Sequence, residues 1–160
     1  MNRFRDQLRQ NGIKVEEQFD SGLPALSVDA VLLGQAFQNI IHNAIQALPD
    51  GLRLFLFCGF YPQKSGHAFI SIHDSGPGIP QSESEKVFHP FYTTKDQGTG
   101  LGLSLAHRIV EAHNGMVWVC QDQCHHFVTK PVELIIGVPA PTYGGARIHI
   151  TLPIGDRKKT

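Results

Sequence analysis

Three groups of residues in this chain have types and spacings suited to chemistry. Asn39, His42, Asn43 and Gln46 fall within about one third of a helix circumference at the α-helical period. A solvated helix stripe normally carries Lys and Glu, whereas this one carries carboxamides and an imidazole. A carboxamide oxygen is a hard, neutral ligand suited to Mg²⁺, which keeps several waters and shares the rest of its shell with phosphates. Asn39 and Asn43, four residues apart, are spaced to meet one hydrated cation together. A buried polar contact or a plain surface stripe is the bland alternative for these four residues.

The second group is His73-Asp74-Ser75-Gly76-Pro77-Gly78-Ile79-Pro80. A carboxylate at a strand end accepts a hydrogen bond from the exocyclic amine of an adenine. Glycines at 76 and 78 let backbone approach a flat base, although Asp-Ser-Gly-Pro-Gly is also an ordinary turn. The third group is Gln97-Gly98-Thr99-Gly100-Leu101-Gly102-Leu103-Ser104, which opens a helix. Unpaired backbone N–H groups and the helix dipole attract phosphate there. No Gly-Lys-Ser/Thr follows, so it is not a P-loop. A loop precedes it where a dinucleotide fold requires a strand. Alone it reads equally as a glycine hinge. In chain order the three groups supply a metal site, a base pocket and a phosphate cradle, the parts of a Mg-nucleotide site.

The elements that must position these residues follow from periodicity. Ile13 to Phe19 alternates as an edge strand. Asp29 caps a helix running to about Leu48, with Leu33, Phe37, Ile40, Ile41, Ala44, Ile45 and Leu48 as its apolar positions. Leu52–Phe60 and His67–His73 are β-rich runs joined by a Pro/Ser/Gly loop. Asp74 to Gly100 is long enough to be a functional loop. Leu101 to His113 is helical and stops at Asn114-Gly115. Met116–Cys120 and Ala146–Leu152 are the last strands, and Val132–Val138 is a possible extra one. The expected fold class is α+β, a two-layer α/β sandwich with a mixed, mostly antiparallel sheet covered by helices on one face.

Composition sets the outer bounds. The 160 residues fit one domain, and 41% of them are hydrophobic, including ten Phe. Fourteen acids balance fourteen bases, which gives no nucleic-acid or membrane field. No window approaches the roughly 18 apolar residues of a membrane span, and Met1 to Asp6 lacks a secretory h-region. Cys58, Cys120 and Cys124 form no disulfide framework, so the expected setting is reducing and cytoplasmic, in the chain itself or as the cytoplasmic part of a larger sensor. Cys120, Cys124, His125 and His126 lack the second ligand set of a structural zinc site and are expected to be a turn with chance thiols.

The ordered groups resemble a known family. Asn39-Ile-Ile-His-Asn43-Ala44 looks like the N box of sensor histidine kinases. Asp74-Ser-Gly-Pro-Gly78-Ile79-Pro80 looks like the G1 box, Phe88-His-Pro-Phe91-Tyr92-Thr93-Thr94-Lys95 the F box, and Gly98-Thr99-Gly100-Leu101-Gly102-Leu103-Ser104 the G2 box. The Phe-Tyr-Thr-Thr-Lys wording is most similar to the nitrogen-regulation type. The resemblance covers about residues 29 to 120 and implies the Bergerat, or GHKL, ATP-binding fold. It implies that Asn43, helped by Asn39, holds Mg²⁺ and that Asp74 binds the adenine amine, with Gly76, Gly78 and Ile79 beside it. It places an ATP lid at about 80–98, anchored by Phe88 and Phe91. Thr94, Gly98, Thr99, Gly100, Leu101, Gly102 and Leu103 fall in its nucleotide-binding boxes. Lys95 is a candidate to reach the terminal phosphate, an exposed lid lysine being the alternative.

The resemblance also fixes the organisation expected. Residues 1–12 are a helix or linker remnant, 13–155 the ATP-binding catalytic domain, 121–145 an insertion long for the family, and 156–160 a tail. Many histidine kinases place Lys three residues after the Mg-binding Asn, where this chain has Gln46. Phosphate charge then falls to Mg²⁺, helix N-termini and Lys95 or Arg108. None of the nine histidines stands in the His-Glu/Asp and Asn-Pro setting of a phosphoacceptor. The implied activity is protein-histidine kinase, with ATP and Mg²⁺ as cofactors, a histidine-bearing dimerisation domain as partner and a response regulator downstream. Competing classes are a GHKL ATPase or serine kinase and a non-catalytic nucleotide-gated module. Gyrase-type ATPases keep Glu four residues before the Mg-binding Asn, where this chain has Asn39.

Overall fold

The computed structural model describes residues 8, 10, 12–47, 53–61, 66–95, 98–120 and 144–155. Five strands, β1 (Lys14–Phe19), β2 (Arg53–Phe60), β3 (His67–Asp74), β4 (Met116–Cys120) and β5 (Arg147–Pro153), form one sheet in the order β1-β2-β3-β5-β4. The helices α1 (Ala30–Gln46) and α2 (Gly102–Ala112) cover one face. β1 pairs parallel with β2, and the remaining pairings are antiparallel. A parallel pair needs a crossover connection, and α1 supplies it.

The α1 cap is where the sequence places it. Asp29 Oδ1 accepts from the N–H groups of Val31 at 2.9 Å and Leu32 at 3.0 Å, satisfying donors that the helix cannot pair internally. Leu33, Ala36, Ile40 and Ala44 are buried at spacings of three and four, so one stripe of α1 faces the sheet. In α2 the inward residues are Leu103, Ala106, Ile109 and Val110. They close on Leu54, Ile72, Val117, Ile148, Ile150 and Leu152 from the sheet. Leu8 joins this core, and its carbonyl accepts the Ile13 N–H at 3.0 Å.

The sheet face opposite the helices has a core of its own. Phe57 and Phe69 are buried there, with Phe55, Tyr61 and Trp118 against them. Period-two alternation on β5 sends Ile148, Ile150 and Leu152 to the helices and His149 and Thr151 to this second face. The His149 ring meets Phe69 edge-on at 5.0 Å and Trp118 at 5.5 Å.

The chemistry of the cysteines differs from expectation: Cys58 is a free thiol, whereas Cys120 is disulfide-bonded. Closeness of two thiols permits a disulfide whatever the total count, and an odd number of cysteines does not reveal that closeness. The loop tip 62–65, the Val132–Val138 strand, the Cys124-His125-His126 group and the 156–160 tail lie outside the described residues.

Candidate functional site

Burial of Ile40 and Ala44 fixes the rotation of α1. That rotation turns Asn39, His42, Asn43 and Gln46 toward one open pocket of about 370 Å³. The far wall is the segment between β3 and α2, with Ile79, Val87, Tyr92, Thr93, Thr94 and Lys95. The floor near the start of α2 is Gly98, Thr99, Gly100, Gly102 and Leu103. The carboxamide stripe and the glycine-rich helix start, far apart in sequence, therefore line one cavity.

The side chain of Asn39 is half-buried, and its Nδ2 is a buried donor without a partner. A donor left unpaired in protein is costly unless a ligand or water meets it. Asn43 Oδ1 is engaged by the Lys95 ammonium at 3.1 Å, and Gln46 Oε1 accepts from the same Nζ at 3.1 Å. Desolvation by burial pushes the Lys95 pKa down. The first turn of α2 has no side-chain cap, so its N–H groups remain available to an anion. These features fit a nucleotide phosphate chain and its cation.

Gly100 is required by backbone geometry. Its φ is +66°, and an added Cβ would stand 2.7 Å from Phe91 Cα. Its carbonyl accepts the Phe91 N–H at 2.9 Å, pinning the loop to the helix start. Phe91 itself has φ +66° and is 76% exposed. The expected anchoring by two rings therefore falls to Phe88 alone, which packs against the main core and lies 5.4 Å from the His107 ring. The left-handed backbone at Phe91 turns its ring away.

Asp74, at the end of β3, is buried. Its Oδ1 accepts the N–H groups of Gly76 at 2.8 Å and Ala146 at 3.1 Å. Burial pushes its carboxyl pKa up, and the two backbone bonds oppose that shift. Gly145 lies so close that a Cβ there would be 2.6 Å from the Asp74 carbonyl carbon. Asp74, Gly76, Gly78, Phe91 and Leu101 do not line the 370 Å³ pocket. Ile79 joins the Asp74 turn to it. Val87, Tyr92 and Thr93 line it without having been singled out for binding. Tyr92 and Thr93 stand in the F-box-like stretch, and Val87 directly precedes it.

A sandwich of this topology with a site between its helices and a long loop defines the GHKL class of ATPase folds. Residues 28–156 match the family described as histidine kinase-, DNA gyrase B-, and HSP90-like ATPase, and the chain belongs to that family. It is 34% identical over 148 residues to sporulation kinase E of Bacillus subtilis (strain 168), covering 92% of this chain and 17% of that protein. The chain thus spans a minor part of this curated relative. The nucleotide-free catalytic domain of the histidine kinase ThkA superposes with a TM-score of 0.74 at 26% identity, covering 96% of this chain and 86% of the other. Full-length ShkA in complex with AMPPNP shares the fold, with a TM-score of 0.72 at 21% identity over 96% of this chain and 28% of that one. The ThkA neighbour is the catalytic domain of a histidine kinase, and this chain has its fold.

Proposed function

We propose that residues 13–155 bind Mg-ATP in the pocket between α1 and α2 and pass its γ-phosphoryl group to a histidine on a separate dimerisation domain, for onward transfer to a response regulator. The observation that carries this reading is the convergence of Asn39, Asn43, Lys95 and the Gly98–Gly102 stretch on one pocket. Bound ATP supplies the phosphoryl group, and Mg²⁺ neutralises its charge. Asn43 and Asn39 would hold the cation. The uncapped N–H groups of α2, with Gly100 and Gly102 beside them, would receive phosphate oxygens. Asp74 would accept from the adenine amine through the oxygen that its backbone bonds leave over. Residues 80–98 act as the lid, Lys95 serving the terminal phosphate. Catalysis is then positioning and charge neutralisation, since a neutral imidazole is already nucleophilic. The pocket lining contains no Asp or Glu among the described residues, which favours phosphoryl transfer over water activation. The ATP requirement supports a cytoplasmic setting.

The test mixes this chain with a dimeric histidine-bearing helical hairpin and γ-labelled ATP. Acid-labile, base-stable label on the hairpin is expected. Release of labelled inorganic phosphate with none on the hairpin would reassign the domain to hydrolysis.

A further inference from the structure

We infer that Gln46 is the positioning residue for the lid's cation: together with Asn43 it holds the Lys95 ammonium over the pocket through uncharged oxygens, poised for the terminal phosphate of a nucleoside triphosphate. This inference rests on the nucleotide reading above. Lys95 Nζ lies 3.1 Å from Gln46 Oε1, 3.1 Å from Asn43 Oδ1 and 3.5 Å from the Asn43 carbonyl oxygen. An ammonium has three donors, and all three acceptors here are neutral. No described carboxylate is ion-paired with this lysine. A Glu at position 46 would neutralise the ammonium, and moving it to phosphate would break one charged contact to make another. A carboxamide fixes the same position and leaves the charge whole.

Gln46 is itself oriented. Its Nε2 lies 3.4 Å from His42 Nε2, which leaves Oε1 toward the lysine. The contact joins the last turn of α1 to a lid residue 49 positions later. Gln46 is exposed, so its removal leaves the core intact.

The experiment is calorimetry on the whole chain with Mg-AMPPNP and Mg-ADP, using wild type, Gln46→Ala, Gln46→Glu, Lys95→Met and the Gln46→Ala/Lys95→Met double variant. Wild type should prefer the triphosphate. Gln46→Ala should cut that preference by roughly threefold to tenfold, in keeping with one hydrogen bond to a charged group. Gln46→Glu should cut it too, with ADP affinity little changed. The double variant should be no worse than Lys95→Met alone, because the two residues act as one unit. Equal weakening of both nucleotides in Gln46→Ala, an unchanged preference, or additive losses in the double variant would each overturn the inference. Absence of binding of either nucleotide to wild type would instead sink the nucleotide site itself, and the inference with it.

Discussion

The Lys95 ammonium lies 3.1 Å from the amide oxygen of Asn43, the atom proposed to hold Mg²⁺. One oxygen cannot sit at bonding distance from both cations without bringing two like charges together. On the proposed reading, a metal held by Asn43 would therefore require Lys95 to leave this oxygen, and a nucleotide phosphate would be its new acceptor. The lid lysine and the metal would thereby be linked through one carboxamide.

That exchange makes Asn43 the residue on which metal dependence turns. Asn43→Ala should abolish the tightening of ATP binding by Mg²⁺ while leaving metal-free ATP binding within about threefold of wild type, the size of one neutral hydrogen bond. Calorimetric titrations with and without Mg²⁺ measure this. Equal tightening by Mg²⁺ in both proteins would remove Asn43 from the metal site.

Asp74→Asn isolates the base contact. The amide oxygen of Asn can keep the bonds from Gly76 and Ala146, so the turn should survive. The second Asp74 oxygen becomes an NH₂ donor facing the adenine amine, itself a donor. Affinity for ADP should fall by at least about tenfold with an unchanged circular dichroism spectrum. Undiminished affinity would move the adenine elsewhere.

Gly100→Ala probes the joint between lid and helix. An alanine at φ +66° is strained, and its Cβ would press on the Phe91 backbone. The cost should be about 1–2 kcal/mol in chemical denaturation, and the phosphate cradle would shift with it. Nucleotide affinity should fall by more than the stability loss alone explains. A variant that binds AMPPNP as tightly as wild type would show that the cradle does not depend on this turn.

Much of this arrangement was legible in the sequence because it is local. The Asp29 cap, the inward stripe of α1 and the alternation of β5 need only neighbouring residues, and the structure has them all. The pairing of Lys95 with Gln46 was not legible, since a surface glutamine carries no mark of a lysine 49 residues away. The same holds for the Ala146 N–H on Asp74, 72 residues off, and for the parallel β1–β2 pairing. The outward turn of Phe91 escaped because aromatic residues are usually buried, and only its backbone φ of +66° reverses that preference. The aromatic second face could have been suspected from Phe55 and Phe57 at period two and Phe69 on the next strand. The unpartnered nitrogen of His149 among them required coordinates.

His149 links that second face to acid sensitivity. Its imidazole is buried among Phe69 and Trp118, and Nδ1 has no partner. Burial, and then the charges of Arg147 and His73, push its pKa from 6.5 down to about 3. The folded-state value is depressed, so between those limits the unfolded chain holds a proton that the folded chain refuses. Stability from this group is therefore complete above pH 6.5 and is lost as the pH falls toward about 3, at up to about 1.4 kcal/mol per pH unit. His149→Phe keeps an aromatic ring in place and removes the titration. The stability of wild type minus that of the variant should then fall as pH drops, by roughly 2–3 kcal/mol between about pH 6.5 and pH 4.5. Urea denaturation at a series of pH values reads this difference, in which the other titrating groups cancel. A gap between the two proteins that stays constant over that range would mean that His149 takes up its proton in the folded state, in contact with solvent.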